Sequence, residues 1–147
     1  MKKFITFFVL AIFIVGNISC PALAKKSSGG GLSDDQLMSF NSTVDRLTQK
    51  YYSRCYFSPA DAANLIGIKI KLDDAMLMSP NPKYAPLYYK IGRILQRRGR
   101  KDEAIECFQA ITDNFPDTAI APRAGLALKS LGVSVNIPQK GGSGEDE

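Results

Sequence analysis

Apolar side chains recur at helical spacing along most of this chain, in runs separated by Pro, Gly and Ser. Residues 33–54 and 59–78 each place apolar positions three or four apart, and residues 88–131 repeat the pattern in shorter runs. Ser33-Asp34-Asp35-Gln36 has the form of a capping box, and Ser58-Pro59 begins the second run with Pro at the first helical position. The pattern predicts an all-α fold of about five helices over residues 32–132.

The most regular pattern lies between Tyr88 and Pro116, where two short amphipathic helices are expected to close on each other. Gly92 and Ala104 are small where these helices cross, and a larger side chain there would push the axes apart. Gly99 is placed to end the first helix in the left-handed conformation. The positions that define this packing are Tyr88, Ile91, Gly92, Leu95, Ala104, Phe108, Ile111 and Pro116.

These eight positions resemble the tetratricopeptide repeat, whose helix-turn-helix unit has a period of about 34 residues. The best repeat is predicted at residues 85–118. The resemblance implies a short helical-hairpin array that binds another protein and is not an enzyme. Pro82 lies one period before Pro116, so residues 59–78 are a candidate for the second helix of a degenerate preceding repeat. In that alignment Asp74 stands where Phe108 does and Leu77 where Ile111 does. The register of residues 59–78 relative to the repeat pattern is therefore either shifted or lost.

The segment after the repeat is expected to cap the stack. Asp117-Thr118 is predicted to open a helix from about Ala119 to Leu131 that Gly132 ends. Its apolar face is expected to consist of Ala124, Leu126, Ala127, Leu128 and Leu131. The run from Tyr84 to Gly132 also resembles exported bacterial envelope members of the family, such as the periplasmic coordinator of the Tol-Pal system.

If the family geometry applies, the first helix of the repeat lines a concave groove. The residues that would face a partner are Tyr89, Arg93, Gln96 and Arg97. An aromatic surface beside two guanidinium groups suits an acidic peptide or a free C-terminal carboxylate, because Arg binds carboxylate through two N–H groups. The alternative is a solvated basic face, since further Lys and Arg residues adjoin these positions.

Two classes of function follow from this pattern. The first is a scaffold or adaptor that binds a partner protein through the groove. The second is a structural subunit of a cell-envelope complex that docks or forms a homo-oligomer through apolar faces. The run from Leu37 to Tyr51 discriminates between them, because a packed helix here favours the groove and an exposed apolar face favours assembly.

Residues 1–24 have the composition of a secretory signal peptide. Lys2-Lys3 form a charged segment, Phe4 to Val15 an apolar one, and Ala22-Leu23-Ala24 a cleavage site. We therefore expect export to a periplasm and no stable membrane insertion after cleavage, since a membrane span needs about 20 apolar residues. The alternatives are an uncleaved N-terminal helix and a lipid anchor at Cys20. Residues 25–31 are predicted to be a flexible leader, and residues 133–147 an extended and then disordered acidic tail.

Composition limits the chemistry that the chain can perform. It contains no His, which excludes Ser-His-Asp and Cys-His catalysis and His-containing zinc sites. No phosphate-binding loop, metal-ligand cluster or acid-base pair is evident, so no catalytic, cofactor or metal site is predicted. The formal charge is +5, and after removal of residues 1–24 the remaining 17 Lys and Arg against 14 Asp and Glu give +3. This mild charge gives no indication of nucleic-acid binding.

Cys55 and Cys107 remain after the predicted cleavage, in a compartment that permits disulfides. A bridge between them would close a loop of about 50 residues and stabilise the fold by about 4 kcal/mol. The alternative is two separate thiols that pack as small apolar groups. The position of Cys107 beside Phe108, near the inward face of its helix, favours separate thiols.

Overall fold

The computed structural model describes residues 31–134, so the predicted signal peptide and most of the predicted leader and tail lie outside it. This part of the chain contains only α-helices and one 3-10 turn, which confirms the all-α prediction. The α-helices are α1 (Asp34–Tyr52), α2 (Pro59–Met78), α3 (Ala85–Arg97), α4 (Lys101–Asn114) and α5 (Ala121–Ser130), and the 3-10 turn is Pro82–Tyr84. None of the helices within residues 31–134 is both long and apolar enough to cross a membrane.

Side-chain caps begin the first two helices. The Ser33 hydroxyl accepts a hydrogen bond from the Gln36 N–H at 3.3 Å, and the Gln36 side chain accepts one from the Ser33 N–H at 3.0 Å. This confirms the predicted capping box. Ser58 and Asp61 form a second box at the start of α2, and Lys50 of α1 reaches the same carboxylate at 2.5 Å. The hydrogen bonds from Lys50 and Ser58 lower the pKa of Asp61 to about 2, so the pair stays charged at neutral pH.

The hairpin of α3 and α4 forms the centre of the core. Gly99 has a φ of +76° and ends the turn between the two helices, as predicted. A Cβ atom on Gly92 would lie 2.8 Å from Cε1 of Phe108 and 3.1 Å from Cβ of Cys107, so the helices approach closely at this position. The fully buried side chains of the hairpin include Leu87, Tyr88, Ile91, Leu95, Ala104, Cys107, Phe108 and Ile111.

Polar contacts join α2 to this hairpin. The buried Tyr88 hydroxyl donates to Oδ1 of Asp73 at 2.8 Å. Nζ of Lys69 lies 2.8 Å from Oδ2 of Asp73 and 3.1 Å from Oε2 of Glu106 in α4. Burial opposes the charge on Lys69, but these two carboxylates raise its pKa above the ordinary value. Burial and the bond to Asp73 also raise the pKa of Tyr88, which keeps its hydroxyl a donor.

The register of α2 is shifted from the 34-residue period. Ile68, Leu72 and Ala75 are buried, and they stand two positions before the residues that would align with Ala104, Phe108 and Ile111. Leu77 is 85% exposed and Ile70 is 54% exposed, so neither packs in the core. Leu77 therefore does not pack as Ile111 does, and the assignment of α2 to a degenerate preceding repeat stays a prediction.

The last helix begins later than predicted. Backbone bonds from Thr118 to Phe115 and from Ala121 to Thr118 form turns before α5, so the helix begins at Ala121 and not at Ala119. Ala124, Ala127 and Leu128 are buried against α4, as expected for a capping helix. Leu126 is 63% exposed and does not belong to that face. Gly132, with a φ of +81°, follows the end of the helix as predicted.

Candidate functional site

A cavity of about 160 Å³ opens between α1 and α3. Buried Val44 and Leu47 hold α1 against the hairpin, and the residues that follow them at the end of α1 form one wall of the cavity. The other wall is α3. The lining residues are Thr48, Tyr51, Tyr52, Tyr89, Lys90, Arg93, Ile94 and Arg97.

Aromatic rings and one guanidinium group shape the open end of the cavity. The rings of Tyr51 and Tyr52 meet edge to face with centroids 6.2 Å apart. The guanidinium carbon of Arg97 lies 4.3 Å from the centroid of Tyr52, and the Tyr51 hydroxyl donates to the Arg97 carbonyl oxygen at 3.1 Å. These contacts join the ends of α1 and α3 and hold the Arg97 side chain at the rim.

Tyr89 connects the cavity wall to the core of the hairpin. Its ring centroid lies 5.8 Å from that of Phe108, at an interplanar angle of 54°. Because Phe108 is fully buried, it provides a rigid support for Tyr89. The aromatic wall is therefore positioned by the same residue that packs the centre of the repeat.

The cations of the site differ in their partners. Nζ of Lys90 lies 2.6 Å from Oδ1 of Asp45 in α1, so its charge is already paired. Nη1 of Arg93 donates to Oε1 of Gln96 at 3.0 Å. Neither Arg93 nor Arg97 forms an ion pair with a carboxylate anywhere in residues 31–134. Two guanidinium groups are consequently available to an anionic group that enters the cavity.

Three of the four residues predicted to face a partner lie together on the cavity wall: Tyr89, Arg93 and Arg97. Gln96 does not line the cavity, because its amide donates to Oγ of Ser130 in α5 at 3.2 Å and its oxygen accepts from Arg93. Binding of a partner by these residues stays a prediction. The α1 half of the site, with Tyr51 and Tyr52, was not predicted as part of it, and only the adjacent aromatic pair in the sequence could have indicated it.

Cys55 and Cys107 are free thiols in this structure. Cys55 is exposed in the connection after α1, whereas Cys107 is fully buried inside α4. Burial raises the pKa of the Cys107 thiol to about 12, so almost none of it is thiolate at neutral pH. The two thiols are therefore separate in this structure.

The two thiols are expected to differ sharply in alkylation. At pH 8 and native conditions, iodoacetamide should label Cys55 rapidly, because the thiolate is the reactive form and Cys55 is exposed. Cys107 should be labelled only after denaturation. Peptide mapping by mass spectrometry measures both sites in one sample, and the denatured sample is the control for equal detection. Equal labelling of both sites without denaturant would contradict the buried position of Cys107.

Residues 87–118 match the family model described as Tetratricopeptide repeat. The matched repeat comprises nearly all of α3, the whole of α4 and the turn after it. Repeats of this family typically bind other proteins and are typically not enzymes. Comparisons with curated proteins and with solved structures gave no significant match.

Proposed function

We propose that this chain is an exported scaffold or adaptor that binds a partner protein in the groove between α1 and α3. The observation that carries this proposal is the cavity itself, where two guanidinium groups without carboxylate partners among the described residues adjoin three Tyr side chains on the two walls. The matched repeat supports the protein-binding class. Residues 1–24, which have the composition of a signal peptide, support export to a bacterial periplasm.

The dimensions of the cavity suggest what part of a partner it takes. Sites for drug-sized molecules usually occupy about 300–1,000 Å³, and this cavity is smaller, with a volume of about 160 Å³. It suits one apolar or aromatic side chain. Arg93 and Arg97 suit a carboxylate next to that side chain, which a free C-terminal residue or an acidic peptide would supply.

The packing of α1 supports the groove over the alternative of a structural subunit. Leu37, Val44 and Leu47 are buried, so the apolar face of α1 is used within the array. A helix that projected from the fold would have left this face exposed. With α1 in place, its Tyr51 and Tyr52 complete the second wall of the groove.

A charge reversal tests the groove directly. We expect the double variant Arg93→Glu and Arg97→Glu to lose one specific partner in a crosslinking pull-down from envelope extract. A peptide with the captured partner's acidic or C-terminal sequence should then bind the variant about 10- to 100-fold more weakly, because hydrogen bonds to charged groups contribute about 1.5–3 kcal/mol. Fluorescence anisotropy with the labelled peptide measures this difference.

The matched control is Lys101→Glu with Lys129→Glu. Both lysines are exposed and lie outside the cavity, and this pair changes the net charge by the same amount. It should retain the partner, and circular dichroism should show that both double variants remain helical. If the two double variants lose binding equally, the interaction is a general effect of basic charge and the groove is not the site.

A further inference from the structure

Helix α2 has apolar side chains on two opposite faces. One face is buried in the core, and the other is directed away from it. The second face, called here the outer stripe, consists of Ala63, Gly67, Ile70 and Leu77, and Ile66 at its margin packs partly against the core. A second apolar face on a surface helix is normally covered, and exposed apolar surface marks an interaction site. Ile70 and Leu77 are 54% and 85% exposed, so the described part of the chain leaves the outer stripe uncovered.

Two opposite charges lie along one edge of the outer stripe. At 100° per residue, Asp74 and Lys71 are both on the same side of Ile70. Asp74 forms no ion pair with any residue from 31 to 134, and neither does Lys71, whose Nζ lies 5.8 Å from the ring centroid of Phe40. The edge therefore offers one cation and one anion without ionic partners among the described residues.

We propose that the outer stripe is a self-association surface on which the α2 helices of two copies pack antiparallel across a twofold axis at the level of residue 72. In this register Leu77 of one copy lies at the same level along the helix axis as Gly67 of the other. A Cβ atom on Gly67 would meet nothing within 4 Å, so the surface at this level is open to a second helix. A twofold contact of this kind requires a surface that is complementary to itself.

The charges of Lys71 and Asp74 favour an antiparallel pairing of the two copies over a parallel one. The twofold axis places the charged edges of both helices on the same side of the interface. Lys71 of one copy and Asp74 of the other then differ by one residue along the helix axis, or about 1.5 Å, and the symmetric pair forms as well. A parallel pairing would put the two charged edges on opposite sides and would form neither pair.

This association is independent of partner binding in the groove. No residue of the outer stripe lines the cavity between α1 and α3, and neither Lys71 nor Asp74 does. A dimer would therefore present two grooves at once. Two linked sites increase the apparent affinity for a partner that carries two copies of the recognised segment.

Analytical ultracentrifugation of single and mixed variants tests the proposal. The wild-type protein should show a monomer–dimer equilibrium, and Lys71→Asp or Asp74→Lys should each weaken it by about 10-fold, because each change puts like charges together. An equimolar mixture of these two variants should form heterodimers, since every Asp then faces a Lys. The double variant K71D/D74K should also regain the wild-type association.

Apolar substitutions provide a matched control. Leu77→Gln, within the outer stripe, should weaken association, whereas Leu126→Gln in α5 should not, although Leu126 is also exposed. Circular dichroism checks that each variant is folded. A wild-type protein that stays monomeric at about 1 mM overturns the proposal, because such association is weaker than about −4 kcal/mol. A dimer that the charge changes do not weaken, or a mixture that does not recover it, also overturns the proposal.

Discussion

Replacement of Phe108 by Ala is expected to lower the free energy of unfolding by about 3–5 kcal/mol. Phe108 has no solvent exposure, and its ring contacts the α3 helix where Gly92 allows close approach. Removal of the ring leaves a cavity between helices that cannot close without moving the whole hairpin. Since the free energy of unfolding of a small domain is only about 5–15 kcal/mol, this substitution should remove a large part of it.

Urea denaturation followed by circular dichroism at 222 nm measures this effect. Leu126→Ala is the control, because its side chain is mostly exposed and its loss should change stability by about 0.5 kcal/mol or less. A loss below about 1.5 kcal/mol for Phe108→Ala would contradict its position at the centre of the core. The same variant should weaken the peptide binding proposed for the groove, because the Tyr89 ring packs beside Phe108.

The second large effect is the expected difference in stability between two glycine-to-alanine variants, one at Gly92 and one at Gly67. Gly92→Ala should destabilise the protein, because the added Cβ would lie 2.8 Å from the Phe108 ring and 3.1 Å from the Cys107 side chain. Gly67→Ala should stabilise it by about 0.5–1 kcal/mol, because Ala favours a helix interior and its Cβ meets nothing within 4 Å. We expect the two variants to differ by about 2–3 kcal/mol.

Each glycine variant is the control for the change in helix propensity that the other variant makes. Both positions lie inside helices, so the change in propensity is the same and only the space around the Cβ differs. Unfolding should be measured at low protein concentration, so that the proposed self-association does not contribute. Equal effects at the two positions would show that close approach of α3 and α4 does not depend on Gly92. In the background Phe108→Leu, the penalty of Gly92→Ala should become smaller, since the clashing ring atoms are absent.

The hairpin was predictable because its determinants are local. Tyr88, Gly92, Ala104 and Phe108 lie within one period, and their sizes and spacing describe a packing that both helices can form by themselves. The caps of α1 and α2 were predictable for the same reason. Each depends on residues three positions apart.

The α1 wall of the site, the orientation of α2 and the position of Gln96 could not be predicted, because they depend on contacts between residues far apart in the sequence. Tyr51 and Tyr52 reach the site only because α1 packs on α3, and the bond from Tyr51 to Arg97 joins residues 46 positions apart. The orientation of α2 could not be read from its sequence, since apolar residues occur on every side. The bond from Tyr88 to Asp73 and the ion pair between Lys69 and Glu106 orient that face of the helix toward α3 and α4. The position of Gln96 likewise depends on Ser130 of α5.

Tyr88 has two roles that a repeat pattern does not distinguish. Its ring fills the position at which the repeat requires a bulky aromatic residue, and a Phe would fill that position equally well. Its hydroxyl, however, is the group in α3 that binds Asp73 of α2. In repeat arrays, the energy of such interfaces determines whether neighbouring units unfold together or one at a time. We therefore expect this one oxygen atom to couple the unfolding of the irregular first half of the domain to that of the regular second half.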